Sequence, residues 1–402
     1  MRVVIRRTLE PFLRKTAGRH PVVTLTGPRQ SGKTTLCRRA FPKKPYVSLE
    51  PPDERDFART DPRGFLKRFP SGAVVDEVQR VPELLSYIQS VVDEDSRSGH
   101  FILTGSQNLG LTEAVTQTLA GRSALLQLLP LSLEEIRKFP NAPAGLLEML
   151  WTGGYPRIYD RSLPADEWLA SYTATYVERD VRQVLNVGDL LTFQTFLRLC
   201  AGRVGQLLNL SALGADAGVT HVTARAWISV LEASYIAFRL PPLHRNLNKR
   251  LIKTPKLYFY DTGLLCYLLG IRAPDQLALH PLRGSILESW VASEIVKYHL
   301  HRAQRPNLFF YRNRQGTEVD FILDRGFDLL AIEVKSGATA STDSFAGLAR
   351  FAADMKSLRH APTITDVVVY GGDTSHRRTV GELLSWSDVD RFTWMAPSAG
   401  KP

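Results

Sequence analysis

The spacing of hydrophobic positions changes several times along the chain, and the changes divide it. Val22 to Leu25 is an unbroken apolar run rich in β-branched residues, the pattern of a strand buried on both faces, and the following TTLCRRAF has helical spacing. Further short apolar runs stand at Tyr46–Leu49, at Ala73–Glu77, which ends in two acids, at Phe101–Gly105 and at Ala124–Leu128. A polar, proline-rich stretch to Pro62 and the helical LTEAVTQTLA lie among them. Strands alternating with helices predict a parallel sheet with ligands at the carboxyl ends of its strands. Ahead of it, MRVVIRRTLEPFLRK reads as an amphipathic lead-in helix.

From Leu131 to about Arg203 the period is mostly helical, broken at Gly153-Gly154-Tyr155-Pro156-Arg157. Residues 211–231 then spell a short helix, a turn at Ala217-Gly218-Val219-Thr220 and a second amphipathic helix. That is helix-turn-helix spacing, with Gly218 free to take positive φ and Thr220 placed as an N-cap. Strand-like pieces follow at Tyr235–Leu240 and Lys256–Tyr260, and a loop-like stretch precedes a long helix from Ser285 to His301. FFYR, Glu318–Leu323 and Leu329–Lys335 read as strands, the last two joined by a turn at Asp324–Asp328. The apolar VVVYGG and FTWM follow, with a tail from Ala396 expected to fray.

Composition narrows the class. The 402 residues suffice for several domains, and 44% hydrophobic with 23% charged content is ordinary for a globular protein. A formal net charge of +11 favours an anionic partner, most simply nucleic acid, although nucleotide accounts for part of such an excess. Cys37, Cys200 and Cys266 are odd in number and far apart, which argues against a disulfide framework or a zinc site and suits a reducing cytoplasm. No apolar run approaches the ~18 residues of a membrane span, and the N-terminal stretch does not read as a signal peptide.

The chemistry begins where the first strand ends. Gly27-Pro28-Arg29-Gln30-Ser31-Gly32-Lys33-Thr34, with Thr35 after it, matches G-x-x-x-x-G-K-[ST] between a strand and a helix, the context in which the pattern means phosphate binding. Gly27 and Gly32 let the backbone N–H groups turn inward, and the helix N-terminus adds partial positive charge. Lys33 can reach the β- and γ-phosphates of ATP, and the Thr34 hydroxyl can ligate Mg²⁺. Asp76 then reads as the Mg²⁺ carboxylate and Glu77 as the base that polarises water. Thr104, Ser106 and Gln107 end the next strand beside them, where a polar side chain could sense the γ-phosphate. Arg122 could be a surface ion-pair partner, or an arginine finger if subunits form a ring.

GPRQSGKTT, VVDEVQ, ILTGSQN and LAGR, followed by PLSLEE and GGYP, resemble the prokaryotic AAA-type ATPases that carry a restriction-endonuclease-like C-terminal domain. The resemblance implies an AAA+ core that binds and hydrolyses ATP, and Arg122 acting in trans on a neighbouring subunit's ATP. The resulting expectation is an α/β fold in four parts: a P-loop core at 1–130, a helical lid at 131–203, a winged helix at 204–274 and a nuclease-like domain at 275–402. Arg157, Arg179 and Arg182 are candidate phosphate sensors of the lid. Arg245 to Lys256 holds five Lys or Arg and no acid, with Asn246 and Asn248 interleaved. Arg245, Lys249, Arg250, Lys253 and Lys256 are therefore candidate DNA-backbone contacts of a basic wing, although such units also serve as packing elements.

A hairpin symmetric about Gly326 and Phe327 sets Asp320 opposite Glu333 and Glu318 opposite Lys335, on one face of the sheet. Opposed carboxylates repel unless a cation lies between them, which makes Asp320 and Glu333 candidate metal ligands. With Glu288 on the long helix, the set resembles the PD-(D/E)xK nucleases, in which acids hold Mg²⁺ and the lysine activates water. The alternative is a salt-bridged ladder on a retained fold. Two functions follow as expectations. One is an ATP-driven, DNA-directed machine within a homo-oligomeric ring, hexameric by preference, with metal-dependent cleavage. The other is a nucleotide switch whose nuclease-like domain is an inactive binding module.

Overall fold

The computed structural model describes residues 3–106, 115, 117–177, 190–243, 253–326, 328–356 and 360–395. The first sheet contains β1 (Val22–Thr26), β2 (Tyr46–Ser48), β3 (Val74–Asp76), β4 (Phe101–Gly105) and β5 (Ser123–Gln127). Its order is β2-β3-β4-β1-β5 and every pairing is parallel. β1 lies at the inside of the sheet, in register with Val22 beside Phe101 on one flank and Ser123 on the other, and all five of its residues are buried. That is why its sequence is apolar without alternation. Around the sheet lie α1 (Glu10–Ala17), α2 (Lys33–Ala40), α3 (Pro52–Thr60), α4 (Pro62–Lys67) and α5 (Leu84–Glu94).

One expectation for this half is corrected. The lead-in helix starts only at Glu10, and the residues before it run without regular structure to the ligand end of the sheet. The proline-rich stretch contains α3 and α4, each opening on a proline. Proline suits the first helical position because its missing N–H would be unsatisfied there anyway. Asp61 caps α4 by accepting from Gly64 N–H at 2.8 Å.

The middle of the chain is helical: α6 (Leu133–Ile136), α7 (Leu146–Thr152), α8 (Pro156–Asp160), α9 (Ala165–Tyr172) and α10 (Leu190–Gly202). Then α11 (Leu210–Asp216) and α12 (His221–Ala233) form the expected pair. Gly218 has φ 71° in the turn, and Thr220 Oγ1 accepts from Thr223 N–H at 3.1 Å. β6 (Ala237–Leu240) and β7 (Lys256–Phe259) pair antiparallel behind them. After α13 (Thr262–Leu268), the long α14 (Arg283–Leu300) leads into a mixed sheet of order β12-β13-β11-β10-β9-β8. Its strands are β8 (Leu308–Arg312), β9 (Glu318–Asp324), β10 (Asp328–Lys335), β11 (Thr363–Tyr370), β12 (His376–Arg378) and β13 (Gly381–Ser385), and α15 (Ala346–Lys356) covers one face.

β10 shows why the element forms. Leu329 and Ala331 face the α15 side with Phe351 and Met355, while Leu330 and Ile332 face the α14 side with Leu287 and Val291. That second cluster runs from Leu129 to Trp394, so the helical middle and the C-terminal sheet share one core. The β9–β10 register is the predicted one, from Leu329 beside Asp324 to Ile332 beside Phe321. FTWM lies outside the strands, and the sheet is completed instead by β12 and β13.

Candidate nucleotide site and a second charged cluster

β1 ends in a loop whose backbone only particular residues can adopt. Gly27 has φ 149°, and a Cβ there would stand 2.1 Å from Leu128 O, so any side chain forces the neighbouring strand to move. Gln30 at φ 64° and Gly32 at φ 96° finish the turn into α2. Lys33, 5% exposed, donates to the carbonyl oxygens of Gly27 at 2.9 Å and Pro28 at 2.8 Å. Burial lowers its pKa to about 8, a shift opposed by Glu77 and Asp76.

The acids predicted at the end of β3 are beside this loop. Asp76 Oδ2 accepts from Thr34 Oγ1 and from Tyr46 OH, both at 2.7 Å, and its other oxygen accepts from Thr104. Glu77 turns away at φ 57°, where it accepts from Ser106 Oγ at 3.3 Å and from Gln79. Thr104 thus holds the Asp76 carboxylate, while Ser106 is the strand-end group beside the base. Lys33, Thr34, Glu77 and Ser106 line a cavity of roughly 340 Å³ together with Ile5, Leu131, Phe139 and Arg157. A lining that joins apolar side chains to a cation and hydroxyls is the form a nucleotide requires. Thr34 and Asp76 supply the oxygen donors a Mg²⁺ ion takes, and they are already within hydrogen-bonding distance of each other.

Two supports of this site carry no motif. Arg7 is 7% exposed and donates to Ser31 O at 2.6 Å and Leu129 O at 2.8 Å, tying the phosphate loop to the chain after β5. Its Nε is 2.9 Å from Glu135 of α6. Burial alone would raise the Glu135 pKa, but the Arg7 charge holds it down to about 2. His301, one residue beyond α14, lies 3.5 Å from the same carboxylate and accepts from Leu129 N–H at 3.2 Å. Burial pushes its pKa down to about 3, so near neutrality it is an uncharged partner and Arg7 is the cation of the pair. Tyr46 is the second unforeseen support. Neither residue type at its spacing signals anything in a single sequence.

Arg122 precedes β5, where its carbonyl accepts from Val22 N–H at 3.2 Å. It therefore lies at the amino end of the sheet, away from its own phosphate loop, and pairs with Asp93 of α5. Arg179 and Arg182, Gln107, and Arg245, Lys249 and Arg250 with Asn246 and Asn248 lie outside the described residues. Lys253 is exposed.

Lys256 corrects its expectation. It is not a surface contact of a wing but 3% exposed, with Nζ 3.3 Å from Glu288 Oε1 and 2.8 Å from Glu318 Oε1. Tyr258, two residues on, donates to Glu288. On the same face of the C-terminal sheet, Lys335 Nζ lies 2.6 Å from Glu333 Oε1, and Asp320 Oδ2 accepts from Val334 N–H at 2.8 Å. Burial, and then the Asp320 charge, push Glu288 and Glu333 up to about 7. The fold thus assembles Glu288, Asp320, Glu333 and Lys335 as predicted, and adds Lys256 to them. The set does not fit a divalent ion as folded: Glu288, Glu318 and Glu333 already have a lysine partner and Asp320 a backbone one. Among the described residues no three Asp, Glu, His or Cys side chains are arranged to hold a metal.

Residues 19–137 match the family model described as an AAA domain. This is an AAA-type P-loop ATPase. Residues 144–275 and 283–388 of the ATPase match two domains of unknown function, DUF8612 and DUF4143. It belongs to one family with the uncharacterized proteins Rv2008c of Mycobacterium tuberculosis and Mb2031c of Mycobacterium bovis. Each is 30% identical over 345 residues, covering 84% of this chain and 76% of the relative. Among solved structures it is similar to the Walker-type ATPase PABY2304 of Pyrococcus abyssi, at 15% identity and TM-score 0.43 over 66% of this chain and 96% of that one. A RuvB variant of Thermotoga maritima gives 21% identity and TM-score 0.30 over 58% of this chain and 87% of that one. Among the described residues no helix is long and apolar enough to cross a membrane.

Proposed function

We propose that the ATPase hydrolyses ATP to act on DNA, as a homo-oligomeric ring in which Arg122 serves the neighbouring subunit. The observation that carries the reading is the pairing of Asp76 with Thr34 and of Glu77 with Ser106 at the phosphate end of the cavity. A protein that only bound nucleotide would need the loop but not a positioned base. Mg²⁺ held by Thr34 and Asp76 would neutralise charge on the phosphates. Lys33 binds the β- and γ-phosphates, Glu77 orients the attacking water, and Arg157, in the cavity lining, lets segment 131–203 respond to the nucleotide as a lid.

The nucleic-acid side rests on charge and shape. α11, α12 and the β6–β7 pair have the order of a winged helix, and His221, Val222 and Arg225 are exposed on the first turns of α12. The basic run between β6 and β7 adds phosphate-binding charge in a chain of net +11. Steady-state hydrolysis tests the reading: DNA stimulates it, and Lys33→Ala or Glu77→Gln abolishes the stimulated rate. Turnover indifferent to DNA would leave the alternative, a nucleotide switch that gates assembly. For the C-terminal domain, the pairing of Lys256 with Glu288 favours the passive half of that alternative over cleavage.

A further inference from the structure

The carboxylate cluster is built by two parts of the chain. Glu318, Asp320 and Glu333 come from the C-terminal sheet, and Glu288 comes from the first turns of α14. Glu288 is enclosed by residues from before α14: Lys256 and Tyr258 of β7 bond it, and a Cβ on Gly205 would stand 3.2 Å from its Oε2. Lys256 Nζ also lies 5.4 Å from the centroid of the Phe310 ring, so its ammonium is held by two carboxylates and an aromatic face. A Mg²⁺ ion demands near-octahedral oxygen ligation. Here the protein supplies nitrogen cations instead, and Glu333 Oε2 is the one buried carboxylate oxygen among these four acids without a protein partner.

We propose that Lys256 is the resident cation of this cluster: it stands where a divalent ion would bridge Glu288 to the acids of β9. The nuclease-like domain is therefore a charge latch that fastens the β6–β7 unit to the C-terminal sheet, not a metal-loading centre.

The test is the number of Mn²⁺ ions bound by the nucleotide-free full chain, read by electron paramagnetic resonance. Wild type and Asp320→Asn bind equal amounts. Lys256→Met gains about one further Mn²⁺ per chain, and adding Asp320→Asn to it removes that ion. Lys256→Arg, which keeps a cation, behaves as wild type. Should Lys256→Met fail to fold, Lys256→Gln removes the charge while keeping a hydrogen bond and is read in the same way. A Mn²⁺ ion on wild type that Asp320→Asn abolishes overturns the proposal, as does a folded Lys256→Met or Lys256→Gln chain that gains none. Neither result touches the DNA-stimulated ATPase rate, which depends on the other site.

Discussion

Lys33 carries its charge into a place with little water, and the cost appears as the fall of its pKa to about 8. The unfolded chain holds that proton to a higher pH, so between the two values the unfolded state binds more protons and stability rises with pH. Nucleotide binding runs the other way, because a phosphate polyanion favours the protonated lysine. ATP binding therefore takes up a proton above pH 8, and affinity falls roughly tenfold between pH 7.5 and 9. Calorimetry in buffers of different ionisation enthalpy measures both; a flat affinity would show that the charge is supplied elsewhere. At Glu77 the expectation is different in kind. Glu77→Gln keeps ATP binding but lowers hydrolysis by about 10²–10⁴-fold, and equal losses in binding and turnover would assign it a structural role.

Arg7, Glu135 and His301 belong to the extended N-terminal segment, α6 and the end of α14, and together they reach the phosphate loop through Ser31 O. Removing one member strands a buried charge. Glu135→Leu is expected to cost about 3–5 kcal/mol in urea unfolding, while adding Arg7→Met to it recovers part of the loss. Additive losses in that double-mutant cycle would break the network into independent contacts. Since Glu135 is held at about 2, its contribution is present above the ordinary carboxylate range and fades as pH drops toward 2. Of the elements in this network only the long helix α14 was legible; the segment carrying Arg7 reads as helix in the sequence but has no regular structure. α14 follows from apolar period, and the β9–β10 register from a turn centred on Gly326 and Phe327, which the buried faces of β10 enforce because a slip of one residue would reverse them. What period cannot reveal is where a charged side chain ends. Lys256 looks identical to Lys253 in a basic run, yet one is exposed and the other is enclosed among carboxylates. Likewise β12, His-Arg-Arg at a sheet edge, has the polar composition that edges tolerate and so carries no strand signal.

At the scale of the assembled molecule, Arg122 decides between a lone ATPase and a ring. Its position at the amino end of the sheet separates it from its own loop by the length of β1, five residues or about 17 Å. Within one chain its side chain donates to Ala120 O at 3.1 Å and forms an exposed ion pair with Asp93, an interaction of little worth. In the proposed ring this edge of each subunit would face the next subunit's cavity. Lys33→Ala chains keep Arg122 but cannot bind ATP productively, and Arg122→Ala chains keep the loop but lack the finger. Each is expected to be inactive alone. Mixed in equal amounts, about half the chains keep a working loop and about half of those adjoin a chain that still carries Arg122, so about a quarter of the wild-type rate returns. Asp93→Asn, which releases Arg122 from its intrachain partner, leaves the rate unchanged or raises it. If the mixture stays silent while light scattering shows an assembled particle, the finger is not Arg122; if Arg122→Ala chains hydrolyse ATP normally by themselves, the ion pair with Asp93 is the whole of its role.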